Sequence, residues 1–490
     1  MKRSLLLFAV LLSAHLLFPV RSWAALGSNL VSSVVTGVSG EPCAAPCTVT
    51  IPVPASLSGN FLNVSLKWSY SGSAPAITNV YCNADTSHTT WIWTDFGKDV
   101  ADPSDQSGGA DYYIAGAAAG CATVSATFSQ PLSTWTGHYM ELRGIAPTAA
   151  IDAVAGQTSG SVSPASPGNL TTTTAGDVVY STCVPVTNGI GTYGTSQITA
   201  ASGATLLEAS LAFASGSEAI VQPAAGAINP GMTFPGISGS ALCMALAIKT
   251  SPGAGTAPSG PHIVQQDLVV SENATAAFQF TPLNAGDALV FVGLNSQAGS
   301  TQWTTISDTL GSLFTTYNVA ASPEWAIDCD AGAGADAITI AGANAGFGNY
   351  TIQEISGLNN SSHTSCLDTK AGLAVGGGNA TPYTAAPNIT PSAAGELVEA
   401  MIQFGTGPAT AAPSPAGAVY FNPTYTGMTD ASHMTEGGGF AINISTGATQ
   451  ESFSWTNPNS SSWNAAALAF IPAPGTVKPT VTRHRAWVIQ

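Results

Sequence analysis

The chain predicts an all-β protein, built as two tandem antiparallel β-sandwich domains of the jelly-roll kind. Three observations carry this. Short alternating apolar runs separated by Gly, Pro, Asn and Ser recur throughout, no segment shows a capped helical period, and one motif occurs twice in the same order. The later copy of the motif reads Glu354-Ile-Ser-Gly357-Leu and is followed by Asp368; the earlier reads Glu141-Leu-Arg-Gly144-Ile and is followed by Asp152.

Residues 1–24 read as a signal peptide: Lys2 and Arg3 precede an apolar run from Leu5 to Val20, and Ser22-Trp23-Ala24 supplies small residues for cleavage after Ala24. His15 and Pro19 interrupt that run, which falls short of the about 20 apolar residues of a membrane span. No later run approaches that length, so the mature chain is expected to lack a transmembrane segment and to be secreted or held at the cell surface.

The first repeat is placed at 25–249 and the second at 262–472. Val49, Ile51 and Val53 alternate with polar residues, and Ala276, Phe278 and Phe280 answer them. Each run is followed by a turn, Ser58-Gly59-Asn60 or Ala285-Gly286-Asp287, and then by a second strand, Phe61 to Trp68 or Ala288 to Leu294, in one constant register. Ile77 aligns with Ile306, Asn169-Leu-Thr171 with Asn388-Ile-Thr390, and Ala175-Gly176-Asp177 with Ala394-Gly395-Glu396. Both repeats end on apolar strands without alternation, Ala241 to Ile248 and Ala465 to Ile471, as expected of strands covered on both faces. A Gly/Pro linker fills 250–261, and a basic tail occupies 473–490. Two smaller immunoglobulin-like sandwiches per copy are the alternative architecture; a β-propeller lacks its period of about 40 to 50 residues.

With 45% apolar residues the chain is not of a disordered composition. Its 27 acidic residues against 11 basic ones exclude a nucleic-acid partner, which needs clustered Lys and Arg. Of the eight cysteines six lie in the first half and two in the second, an even number in each, and in an exported chain this favours disulfides. The expected pairs are Cys43 with Cys47, Cys82 with Cys121, Cys183 with Cys243, and Cys329 with Cys366.

The export signal, the Gly/Ala/Thr-rich strands, the Glu354-Ile-Ser-Gly357-Leu motif with Asp368, and Ala394-Gly395-Glu396-Leu downstream resemble a group of large secreted bacterial repeat proteins. Their β-sandwich units have no established activity, so the resemblance implies fold and compartment rather than substrate. The first copy departs from the motif at Arg143 and Ile145.

Glu141 and Glu354 admit two uses. A strand carboxylate can serve a sugar-cleaving enzyme if a second stands about 5 to 10 Å away, with Asp152 or Asp368 as partner. A Glu before a glycine turn can instead fix a loop through backbone N–H groups, and duplication favours this scaffold role. The stretch from Ile77 to Glu141 is longer than that from Ile306 to Glu354, so the first copy carries an insertion, placed in or near Thr86 to Tyr113. Trp91 and Trp93 share a face if extended. With Tyr112 and Tyr113 they would stack on sugar rings, while Asp95, Asp99, Asp102 and Asp105 accept hydroxyl hydrogen bonds or gather calcium. The competing use is that the tryptophans cover a hydrophobic edge.

Gly189-Ile-Gly191-Thr-Tyr-Gly194 fits a dinucleotide-binding pattern, but no helix follows and it reads as a turn. Gly-x-Ser-x-Gly and His-Glu-x-x-His are absent. His88, His138, His262, His363, His433 and His484 show no metal spacing and are expected in loops or on the surface. The function expected is adhesion or glycan binding without catalysis; a carbohydrate-active enzyme and a passive spacer are the alternatives.

Overall fold

A computed structural model describes residues 26, 29–43, 46–186, 198–210, 215–271, 275–295, 305–318, 324–341, 348–369, 374–380, 388–404, 410–412, 419–421, 437–456 and 461–474. The signal segment 1–24, the Gly189 to Gly194 turn, His433, His484 and the tail beyond 474 lie outside the described residues. Among the described residues the fold is all-β, and no helix is long and apolar enough to cross a membrane.

The first copy begins with β1 (Leu30–Cys43), β2 (Cys47–Pro52), β3 (Phe61–Ser69), β4 (Ile77–Cys82), β5 (Thr94–Asp95), β6 (Val100–Asp102), β7 (Ser107–Ile114), β8 (Thr123–Phe128) and β9 (Leu132–Leu142). It continues with β10 (Ile151–Ser159), β11 (Leu170–Thr172), β12 (Val178–Val186), β13 (Thr205–Ser210), β14 (Ser215–Val221), β15 (Gly226–Ile228) and β16 (Ser240–Ile248). The second copy opens with β17 (His262–Ser271), β18 (Thr275–Phe280), β19 (Ala288–Asn295), β20 (Thr305–Ser307), β21 (Thr315–Asn318), β22 (Glu324–Asp328), β23 (Asp336–Ala341) and β24 (Gly348–Ser356). It closes with β25 (Ala374–Ala380), β26 (Asn388–Ile389), β27 (Leu397–Phe404), β28 (Thr410–Ala412), β29 (Val419–Phe421), β30 (Gly437–Ile444), β31 (Glu451–Ser452), β32 (Ser454–Thr456) and β33 (Ser461–Phe470).

The copies share one central sheet, ordered β21-β22-β19-β24-β17-β1-β9-β3-β7-β5 with β6 also on β7. Its seam is the parallel pairing of β1 with β17, Ser33 opposite Gln265 and Val34 opposite Gln266. Read outward from the seam, β1-β9-β3-β7 and β17-β24-β19-β22 are the same series. A half-turn about an axis along the seam relates them, and such a rotation turns the sheet over. The covering sheets are therefore exchanged across it: β2 meets β29, while β13 meets β17 and β18.

Each half of the central sheet is covered on both faces. In β3, Leu62, Val64, Leu66 and Trp68 pack with Val49, Ile51 and Phe128 of the β2-β8-β4 sheet. Phe61 instead packs with Tyr180 and Leu246 of the β10-β16-β12-β14-β13 sheet, whose outer face meets Leu170 and Ile228 of the β11-β15 pair. The second copy repeats this with Leu289 and Phe291 on one side and Val290 and Val292 on the other. The sandwich thus recurs within each copy. Strand β16 is buried along nearly its whole length, which explains its lack of alternation.

All four cysteine pairs are bridged as expected: Cys43–Cys47, Cys82–Cys121, Cys183–Cys243 and Cys329–Cys366. Cys183 and Cys243 face each other directly across β12 and β16, with Cα atoms 4.2 Å apart. Residues of the 250–261 stretch are tied to the first copy, Gly144 N donating to Ala254 O (2.7 Å) and Thr256 N to Asn60 Oδ1 (2.8 Å).

Candidate functional site

Glu141 and Glu354 end the inner strands β9 and β24, where both are buried. Glu141 Oε1 accepts from Leu57 N at 2.8 Å and Asn60 Nδ2 at 2.7 Å. Glu354 accepts from Leu283 N at 2.9 Å, Asn284 N at 2.8 Å and Gln265 Nε2 at 2.7 Å. In each copy the carboxylate thus satisfies backbone donors of the loop after the second strand, groups that would be costly to bury unpaired. Burial raises both carboxyls, Glu354 to about 7.

The glycines that follow have positive φ, 69° at Gly144 and 79° at Gly357. A Cβ at Gly357 would stand 2.6 Å from Gly260 O, so the turn also needs the space. Asp152 accepts from the backbone and hydroxyl of Thr173, and Asp368 from those of Ser392. Every member of the duplicated motif therefore fastens a loop. Glu141 also lines a cavity of about 300 Å³ between the copies, beside Ser32, Leu57, His262, Ile263 and Leu397, and among the described residues no second carboxylate lines it.

The aromatic and acidic stretch divides into parts. Trp91 is 9% exposed, packs in the core of the first sandwich and donates its indole N–H to Ala118 O at 3.1 Å. Asp85, not singled out from the sequence, holds the preceding turn by accepting from Thr90 N (2.5 Å) and Trp91 N (3.2 Å). Trp93 is half-buried, and its indole nitrogen, itself buried, has no hydrogen-bond partner among the described residues.

Strand β5 sets Asp95 opposite Tyr112 and Thr94 opposite Tyr113. Trp93 and Tyr112 pack on the first-sandwich core, whereas Tyr113 points through the other face and stacks on Phe61 at 5.7 Å. The four aromatic rings therefore do not form one platform. Tyr112 and Tyr113 also belong to β7, which pairs with β3 as β22 pairs with β19; they are scaffold positions, and the insertion ends before Ser107.

Asp99 lies near Asp95 and Tyr112; burial, reinforced by Asp95, pushes its carboxyl up to about 6. Asp95 accepts from Gly97 N at 2.6 Å, and Asp102 from Ser104 N at 3.0 Å and Asp105 N at 3.3 Å, so both also cap turns. Among the described residues no three His, Cys, Asp or Glu side chains converge closely enough to hold a metal ion.

His138, expected in a loop or on the surface, is fully buried in β9. Its Nε2 meets Ser33 Oγ at 2.7 Å and its Nδ1 meets Tyr180 Oη at 2.8 Å. Burial lowers it to about 4, keeping the ring neutral. Beside it lie Lys67, Asp111 and Glu208, all buried, with Lys67 Nζ 2.5 Å from Glu208 Oε2. This ionisable layer was missed in the sequence. Its signal was present: by register, Leu294 and Trp325 occupy in the second copy the positions of Lys67 and Asp111. His363 differs again, half-exposed and bonded through Nδ1 to Asp328 at 2.7 Å, while exposed His88 stacks edge-on with Tyr81.

No protein-family model and no curated protein matches this chain.

Proposed function

We propose that the chain is a secreted or cell-surface β-sandwich repeat protein that binds glycan without catalysis, through the first-copy surface around Trp93. The observation that carries this is the grouping of half-exposed Trp93 and Tyr112 with exposed Asp95 and Asp99. An aromatic face beside hydroxyl-accepting carboxylates suits a sugar ring, whose C–H face is apolar and whose rim is polar. Trp91 belongs to the core of the first sandwich and not to this surface. The disulfides fit an oxidising compartment. Against the enzymatic alternative stands the use of Glu141 and Glu354 as loop anchors in both copies.

A glycan-array screen of the secreted protein, run with and without calcium, tests this. Binding that disappears in Trp93→Ala while the melting temperature changes little supports it. Trp91→Ala should instead lose about 3–5 kcal/mol of stability, as expected for a truncated core aromatic. An array without a hit in either condition would leave the spacer role.

A further inference from the structure

We infer that Lys67 and Asp111 condense into an amide, a covalent cross-link between β3 and β7, with Glu208 from the facing sheet carrying the protons. The strand register makes the two residues neighbours, although Lys67 Nζ rests on Glu208 and Ser217 rather than on Asp111 and must swing across to react. Ser65 pairs with Asp111 and Lys67 with Gly109, so Lys67 and Asp111 are diagonal neighbours on one face. Such neighbours have Cα atoms about 7–8 Å apart, within the combined reach of the two side chains. Gly109, opposite Lys67, puts no side chain between them.

The surroundings supply the chemistry. Lys67 is 2% exposed, and Asp111 and Glu208 are 0% exposed. Glu208 Oε2 lies 2.5 Å from Lys67 Nζ, held by the hydroxyls of Ser215 and Ser217. Asp111 has only the Ser65 hydroxyl as a close polar neighbour, and among the described residues neither of its oxygens makes a hydrogen bond of good geometry, a costly arrangement for a buried carboxylate. Burial, offset in part by the Ser65 hydroxyl and then by Lys67, raises the Asp111 carboxyl to about 7, which favours the protonated acid that an amine can attack.

The reaction balances without a co-reactant. Lys67 Nζ gives a proton to the Glu208 carboxylate, and its lone pair attacks Cγ of the protonated Asp111 carboxyl. As the Nζ–Cγ bond forms and the Cγ–OH bond breaks, Glu208 returns that proton to the departing hydroxyl, which leaves as water. A second Nζ proton passes to Glu208, which ends as a carboxylic acid. Expulsion of water from a closed interior favours the amide. The second copy is a built-in control, because Leu294, Trp325 and Phe421 stand at the equivalent register positions.

The test is mass spectrometry of the purified full chain after complete disulfide reduction. The expected result is an intact mass one water below that of the linear chain, and a branched peptide joining Lys67 to Asp111 that survives reduction. Asp111→Ala and Glu208→Gln should each restore the missing water. A wild-type chain at full linear mass overturns the inference whether or not the variants fold. So does a water loss that maps to a succinimide or to any other residue pair.

Discussion

The two copies use one scaffold and fill it differently between the central sheet and the sheet that follows it. In the first copy that layer holds Lys67, Asp111, His138, Tyr180 and Glu208; in the second it holds Val290, Val292, Trp325, Leu397 and Met401, with Glu399 accepting from the Trp325 indole at 2.9 Å. The anchoring acids differ in the same sense. Asp152 has Lys249 at 3.4 Å, whereas Ile471 occupies the equivalent end of β33 beside Asp368 and Glu396. The lesson is that strand pairing and loop anchoring tolerate opposite solutions to charge burial, because the backbone hydrogen bonds are unaffected by what fills the layer.

The largest effect should come from Cys183–Cys243, one of the three disulfides of the first copy, whose positions in the second copy hold Ile402 and Ala465. Replacing Cys183 and Cys243 by Ala opens a bridge of sequence separation 60 and should cost about 4 kcal/mol in the chain-entropy account, measured by urea denaturation. Ile402 faces Ala465 in the second copy as Cys183 faces Cys243 in the first. Ile402→Cys with Ala465→Cys should therefore form a bridge, read as loss of two free thiols; persistent thiols would show that the two strand pairs are not equivalent.

A smaller and equal effect is expected at the shared anchors. Glu141→Ala and Glu354→Ala each leave buried loop donors without an acceptor, costing about 1–3 kcal/mol per site. Thermal unfolding of the two variants should shift by similar amounts, and a shift in only one would break the scaffold equivalence.

The copies should also differ in the pH response that the second one contributes. Burial raises Glu354 and Glu396 to about 7 and Glu399 to about 8, while in the unfolded chain a glutamate releases its proton near pH 4.3. Between those values the folded state binds protons that the unfolded state does not, so this stabilisation is complete below about pH 4.3 and is lost as pH rises toward 8. Asp152 behaves oppositely. Burial opposes its ionisation, but the Thr173 donors and Lys249 outweigh burial and lower it to about 2, so its contribution is lost only in acid. Denaturation midpoints at pH 5, 7 and 9 should fall with pH, and Glu399→Gln or Ile471→Lys should flatten the slope.

The fold class was legible because alternation and turn residues are local, and because the copies report on each other: the constant register from Val49 to Trp68 survives in the paired strands. That the cysteines are bridged followed from the even count in each half of an exported chain, whereas a count does not fix which cysteine meets which. The β1–β17 seam was not legible, since nothing in Ser33 or Gln265 marks a parallel neighbour in another copy. Lys67 and Asp111 were hidden for a related reason. In an alternating strand a polar residue signals a solvated face, and only the second sheet converts that face into interior. Tyr112 and Tyr113 were assigned to the insertion because their density of aromatics outweighed the pairing that places them on β7.

The central claim is that the scaffold is shared and that binding was added to the first copy alone. The measurement that tests it most directly is glycan binding by three proteins side by side: wild type, Trp93→Ala, and Glu141→Gln with Glu354→Gln. The account predicts that the double glutamine variant binds as wild type does, without releasing sugar, and that Trp93→Ala does not bind. Sugar release by wild type that vanishes in the double glutamine variant would contradict it and move the function to the strand carboxylates.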